Sequence, residues 1–186
     1  MDAFSYLSVL LSVILGLAIT QVLQVARGLV LTRKAVRFYA PVIIWAAVAV
    51  LIAIQSWWAS FGLRLREDWS FAAFLAVLAH AISIYVVAAL VLPDVAEGRE
   101  VDLRWHYQAH RRWFFGALLA TTLLSLVKEA VLHGRLPAPA NLGFHLAFCM
   151  LALLPLFTDR ERVQQFLAPA GLALTLVYVL DLFWRL

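Results

Sequence analysis

Six runs of apolar residues, separated by short polar links, are the feature that most constrains this chain. They cover, approximately, residues 4–26, 42–63, 70–92, 113–132, 142–157 and 166–184. A helix needs about 20 apolar residues to cross the hydrocarbon core of a bilayer. Hydrophobic residues make up 65% of the chain, and a soluble fold of 186 residues cannot bury so much apolar surface. The sequence therefore predicts an all-α polytopic membrane bundle of six transmembrane helices, forming a single domain over residues 1–186.

The fifth run is the shortest of the six, and Pro155 lies near its end. Short apolar segments also occur as re-entrant helices, which enter and leave the membrane on the same face. Five transmembrane helices are therefore the alternative to six. The two alternatives differ in whether one unbroken helix covers residues 142–157.

Lysine and arginine are distributed unevenly between the two ends of the predicted bundle. The links after the first, third and fifth runs carry ten of them, whereas the opposite side carries five, counting Lys128 near the end of the fourth run. Because positive residues in short loops favour the cytoplasmic side, both termini are predicted to be non-cytoplasmic, in a bacterial-type inner membrane. The cytoplasmic cations would contact anionic lipid. They are scattered between apolar runs, which argues against nucleic-acid binding.

Small and polar residues recur every three or four positions along the first run, at Ser5, Ser8, Ser12, Gly16 and Thr20. At 100° per residue, these positions stay on one side of a helix. Small residues at this spacing let two helix backbones approach closely. This stripe therefore predicts a packing seam with another helix, or with a second copy of the chain in a homo-oligomer. The alternative is a helix face that borders a polar cavity.

Four polar residues in the runs are candidates for a solute path: Gln24, His80, Glu129 and Asp181. Ionisable side chains are costly in lipid and generally face protein, water or a transported ion. Glu129 and Asp181 are predicted at the same outer end of the bundle, with His80 near the middle of the membrane. Together these residues favour an oligomeric channel, or a transporter of a small solute or ion.

The link between the third and fourth runs is the longest and most polar. Residues 99–112 predict an amphipathic segment at the cytoplasmic interface, with arginines at lipid phosphates. Asp102, His106 and His110 follow at four-residue steps and form one column if this segment is helical. Neighbouring histidines at that spacing can share a metal ion or respond to pH.

Two histidines in different runs, His80 and His145, also raise the hypothesis of a haem or redox protein with two histidine ligands. Their predicted heights in the membrane differ, and no Cys-x-x-Cys-His attachment motif is present, so no cofactor is predicted. Phosphate-binding, dinucleotide-binding and nucleophile motifs are also absent, and the sequence does not predict an enzyme. A non-catalytic membrane subunit that docks a partner is the second alternative to transport.

Three stretches carry a resemblance to known proteins: FSYLSVLLSVILGLAIT at Phe4–Thr20, QSWWASFGLR at Gln55–Arg64 and HYQAHRRWFFG at His106–Gly116. They resemble small bacterial inner-membrane proteins with no assigned activity, and the resemblance extends over most of the chain. A remote analogy links the chain to six-span lysosomal-type potassium channels, which have a Phe-Ser-Asp motif on the first helix. Here Phe4 and Ser5 are followed by Tyr6, so the acid of that motif is missing.

Overall fold

The computed structural model describes residues 3–95 and 100–182. The helices within these ranges are α1 Ala3–Leu31, α2 Ala40–Ser60, α3 Phe71–Val91, α4 Leu103–His133, α5 Pro139–Phe157 and α6 Glu161–Leu182. Six helices of the described residues are long and apolar enough to cross a membrane. The predicted all-α bundle of six spans is therefore confirmed. α5 is one unbroken helix of 19 residues with Pro155 buried inside it, in agreement with six spans rather than five.

Two helices begin earlier than their apolar runs. Residues 103–112 were predicted to lie apart at the interface, but they form the first turns of α4. The physical reason is a helix cap: the Asp102 carboxylate accepts a hydrogen bond of 2.9 Å from the Trp105 backbone N–H, and no proline or cap interrupts the helix before Gly134. α6 likewise starts at Glu161, so that Pro169 lies in its interior rather than in its first turn.

Five of the helices form a closed ring. α2 packs against α3, α3 against α4, α4 against α5 and α5 against α6, and α6 returns to α2. The contact that closes the ring joins Trp45 of α2 to Gly171 of α6. A Cβ atom at Gly171 would lie 2.6 Å from the Trp45 ring, so only glycine allows this approach. α1 lies outside the ring, against α2 and α3.

Two short strands connect the links at one end of the bundle. β1, Val36–Arg37, pairs in parallel with β2, Val101–Asp102. This pairing brings the link between α1 and α2 next to the link between α3 and α4. We call this end, which carries most of the cationic side chains, the basic end. The opposite end holds the links from α2 to α3 and from α4 to α5, together with the start of α1 and the end of α6, and we call it the terminal end.

The buried face of α1 is not the predicted stripe. Leucine, alanine and valine form that face, at Leu7, Leu11, Leu15, Ala18, Val22 and Leu29. Of the stripe, Ser12 and Thr20 are exposed, whereas Ser5, Ser8 and Gly16 are half-buried. The Trp57 indole N–H donates a hydrogen bond of 3.1 Å to the Ser12 hydroxyl, so the stripe borders α2 without packing deeply against it. A seam with a second copy of the chain stays a prediction.

Substitution of Gly16 by leucine tests that seam. No atom lies within 4 Å of a Cβ atom added at Gly16, so the variant should fold as the wild type does. If the stripe joins two copies, the bulky side chain should hold their backbones apart and shift the protein to the monomer. Light scattering coupled to gel filtration in detergent measures the mass. An unchanged mass would remove the stripe from any oligomer interface.

Closure of the ring can be tested by comparing two glycine substitutions in helices. Gly116→Ala meets no atom within 4 Å, so it should raise thermal stability through helix propensity, by up to about 1 kcal/mol. Gly171→Ala places its methyl group against the Trp45 ring and should lower stability by about 1–3 kcal/mol, as overpacking does. Thermal unfolding in detergent measures both. Equal effects of the two substitutions would contradict the close contact.

Candidate functional site

A cavity of about 240 Å³ lies inside the helix ring, on the side of the terminal end. It runs from His80, in the middle of α3, to Gly62 and His133 at the mouth. Its polar lining comes from all five helices of the ring: Gln55, Ser56, Ser60, His80, Thr121, Thr122, Ser125, Lys128, Glu129, His133, Asn141, His145, Thr175 and Tyr178. From α1, only Leu11 reaches the wall.

Three charged or titratable groups at the end of α4 face this cavity. The Glu129 carboxylate pairs with His133 one helical turn later, at 3.2 Å between Oε2 and Nδ1. Lys128 precedes Glu129 and also lines the cavity. Within residues 3–95 and 100–182, the Lys128 ammonium has no ion pair and no hydrogen bond. A cation without a partner inside a bundle indicates a site that a ligand or water completes.

Two histidines on facing helices, His80 and His145, are buried in the cavity wall. Both ring nitrogens of His145 have partners: Nδ1 lies 2.8 Å from the Asn141 carbonyl oxygen, and Nε2 lies 3.1 Å from the Ser125 hydroxyl. A carbonyl oxygen only accepts, so Nδ1 carries the proton. His80, in contrast, makes no side-chain hydrogen bond to any described residue. His145 is thus held in place as part of the wall, whereas His80 offers its imidazole to the cavity.

The structure brings together two of the four predicted path residues. His80 and Glu129 line the cavity. Gln24 is exposed on the part of α1 nearer the basic end, and Asp181 is exposed at the end of α6; neither lines the cavity. Arg185, the predicted partner of Asp181, lies outside the described residues, as do Arg99 and Trp184.

Lys128, Ser125 and Asn141 were not among the predicted path residues, and the structure adds them. A lysine near the end of a span can extend to the membrane surface, but Lys128 lines the cavity. A signal for its inward direction was present in the sequence, because Thr121, Ser125 and Lys128 follow at steps of four and three residues and share one helix face. No comparable signal marked Asn141, which had been interpreted as a helix cap. Its side-chain oxygen is buried and has no hydrogen-bond partner among the described residues.

An aromatic layer lies beyond the cavity, towards the basic end, and none of its three rings lines the cavity itself. Trp45 contacts Phe114 and Phe115 in edge-to-face geometry, with ring centroids 5.7 and 5.2 Å apart. Gly171 lies against the Trp45 ring, and Thr175, one turn further along α6, belongs to the cavity wall. Beyond this aromatic layer is a second, much smaller cavity of about 10 Å³, which Trp45 and Phe114 also line.

Buried hydrogen bonds between α4 and α6 hold the basic end together. The Tyr107 hydroxyl donates a hydrogen bond of 2.6 Å to the side-chain oxygen of Gln164, whose amide nitrogen donates 2.8 Å to the Thr158 carbonyl. Arg111 was predicted at the lipid phosphates. It is instead buried, with an ion pair to Asp159 and a hydrogen bond of 3.0 Å to Gln108. Burial also raises the pKa of the nearby Tyr39 phenol, whose ring is tilted by 53° against the Tyr107 ring, with centroids 5.6 Å apart.

The predicted column of Asp102, His106 and His110 forms on the first turns of α4, but each member has a structural contact. Asp102 caps the helix, and its carboxylate lies 3.8 Å from the Arg37 guanidinium. His106 Nε2 lies 3.4 Å from the Leu90 carbonyl oxygen, and His110 Nδ1 lies 3.1 Å from that of His106. In the described part of the chain, no three His, Cys, Asp or Glu side chains converge as metal ligands would. The geometry therefore gives this column a role in the fold.

The buried bond between Tyr107 and Gln164 can be tested by removing one hydroxyl. Tyr107→Phe leaves the fully buried Gln164 oxygen without its donor, and stability should fall by about 1–3 kcal/mol. Tyr85→Phe is the matched control, because the Tyr85 ring faces outward from α3 and has no hydrogen bond among the described residues. Thermal unfolding in detergent compares the two. A loss no larger than that of the control would contradict a network that holds α4 and α6 together.

No known protein family, curated protein or solved structure matches this chain. The geometry of the cavity and of the aromatic layer beside it therefore carries the functional conclusion.

Proposed function

We propose that this protein is a transporter for a small polar solute, which it binds in the cavity of the helix ring. The observation that supports this proposal is the position of Lys128, Glu129 and His80 around one cavity inside a membrane bundle. Each such group is costly to bury in a membrane-spanning bundle, so groups of this kind mark pathways for ions and solutes. A polar cavity reached from one end of the bundle supplies the binding site that a transporter needs.

The aromatic layer favours a transporter over an open channel. A channel needs a continuous polar path, but Trp45, Phe114 and Phe115 fill the ring between the two cavities. The solute would reach the basic end only if this layer moved. Trp45 is the proposed moving member, because it lines the smaller cavity and its ring lies against the backbone of α6 at Gly171. Displacement of the Trp45 ring would join the two cavities.

The proposed membrane and orientation of the transporter follow from the distribution of lysine and arginine. The protein would act in a bacterial-type inner membrane with its basic end in the cytoplasm, since that end carries more lysine and arginine. The cavity would then open to the outside of the cell, and movement of the aromatic layer would release the solute inward. A homo-oligomer, if formed through α1, would leave each ring with its own cavity.

Flux measurements on protein reconstituted in liposomes test the proposal. The panel is potassium, chloride, protons, methylammonium, acetate and glycine, each under its own gradient. We expect slow and saturable flux of at least one of them with the wild type. We expect Trp45→Ala to give fast flux that does not saturate, because the joined cavities form a continuous path.

Trp57→Ala is the matched control for the flux experiment. Trp57 is also on α2, but its ring is half exposed on the outside of the ring and hydrogen-bonds to Ser12. This variant should keep the slow, saturable flux of the wild type. Gel filtration checks that both variants stay folded. If the wild type moves none of the six solutes and Trp45→Ala opens no leak, transport through this cavity is excluded.

A further inference from the structure

The two charged side chains at the mouth of the cavity, Lys128 and Glu129, differ in their ion-pair and hydrogen-bond partners. This difference indicates which class of ligand the cavity fits. Lys128 and Glu129 are neighbours in α4, so their side chains leave the helix about 100° apart. Both line the cavity, and no ion pair joins them. Glu129 uses Oε2 for His133, whereas its Oε1 has no hydrogen-bond partner among the described residues. The cavity thus presents one positive and one negative group that do not neutralise each other by contact.

A ligand with a single charge fits this site poorly. An anion at Lys128 would bury its charge beside the Glu129 carboxylate, and a cation at Glu129 would do the same beside the Lys128 ammonium. In either case a like charge lies beside the charge of the ligand and lowers its affinity, because like charges at close range repel each other. A ligand that carries both charges satisfies both groups at once.

Other polar atoms of the cavity agree with that charge pattern. The Asn141 side-chain oxygen is enclosed, with no donor in the described residues, and becomes an acceptor for an ammonium group once the side chain turns towards the cavity. The His80 imidazole has no side-chain partner either and can donate to a carboxylate. These two groups add one acceptor and one donor to the charged pair.

The rest of the wall limits the body of the ligand. Ile52, Val77, Leu118 and Phe148 form an apolar part of the lining. The volume of about 240 Å³ is below the roughly 300–1,000 Å³ of pockets that hold drug-sized molecules. A short aliphatic chain between or beside the two charged groups fits both features.

We propose that the cavity binds a small zwitterion, with one carboxylate at Lys128, one ammonium group at Glu129 and Asn141, and a short aliphatic body, as in a neutral amino acid. This inference rests on the proposed function only in taking the cavity as a binding site. It does not depend on movement of the aromatic layer. Binding and flux are therefore tested separately.

Calorimetric titration of the protein in lipid nanodiscs tests the charge pattern without any gradient across the membrane. The zwitterionic probes are glycine, L-alanine and L-leucine. Two further probes each lack one charge of L-leucine: 4-methylpentanoate has no ammonium group, and 3-methylbutylamine has no carboxylate. We expect L-leucine or a smaller amino acid to bind, and each singly charged analogue to bind about tenfold more weakly or worse.

Two substitutions assign each charge to its residue. In Lys128→Gln the carboxylate of the ligand should contribute nothing to the affinity, so L-leucine and 3-methylbutylamine should bind with the same affinity. In Glu129→Gln the ammonium group of the ligand should contribute nothing to the affinity, so L-leucine and 4-methylpentanoate should bind with the same affinity. Lys128→Arg keeps the charge and should retain binding. Lys34→Gln and Glu100→Gln remove exposed charges at the basic end and should leave binding unchanged.

Three results would overturn the zwitterion site: no binding of any of the three amino acids, 4-methylpentanoate binding as tightly as L-leucine, or 3-methylbutylamine doing so. The second result would indicate an anion site and the third a cation site. Binding of an amino acid in nanodiscs without flux of that same amino acid in liposomes would leave the zwitterion site standing and remove transport. Flux of potassium or chloride without amino acid binding would remove the zwitterion site and leave transport standing.

Discussion

The contact between Trp45 and Gly171 is the interaction on which the rest of this structure depends. In lipid, helices gain little from hiding apolar surface from one another, so close packing and hydrogen bonds decide which helices meet. The missing side chain at Gly171 lets the indole ring of α2 lie directly against the backbone of α6. That contact turns a row of five helices into a ring, and the same indole forms part of the layer that divides its interior.

A closed ring explains why polar side chains can survive in so apolar a chain. Hydroxyl groups of the ring satisfy themselves within their own helices: Thr121 and Thr175 each donate to the carbonyl four residues earlier, at 2.9 and 2.8 Å. Among the charged groups, Glu129 pairs with His133 of its own helix, whereas Lys128 has no ion pair among the described residues, and both line one cavity. The basic end is different, because Tyr107, Gln164 and Arg111 have partners inside the protein there. Side-chain hydrogen bonds and ion pairs within the protein hold the basic end together, and half-buried charged groups line the cavity at the other end.

The sequence predicted the helices better than the contacts between them, and three cases show why. Hydropathy detects only the part of a helix that lipid surrounds, so the polar first turns of α4 were interpreted as a separate segment. The stripe on α1 has the spacing of a packing seam, yet the chain buries a face of leucines beside it. Helices in lipid are apolar on most faces, and so the pattern of one helix does not say which face meets a neighbour. The ion pair of Arg111 could not be predicted from a local pattern either, because its partner Asp159 is 48 residues away in the sequence.

By itself, the sequence determined that this is a membrane protein of six helices, with ionisable residues inside the spans. Those properties follow from local composition, because a long apolar run can satisfy its backbone in lipid only as a helix. Tertiary structure decided which polar and ionisable residues share a site: His80, Lys128 and Glu129 line one cavity, whereas Gln24 and Asp181 do not. Packing of α2 against α6 sets that grouping through contacts between residues more than a hundred positions apart, and no local pattern encodes such contacts.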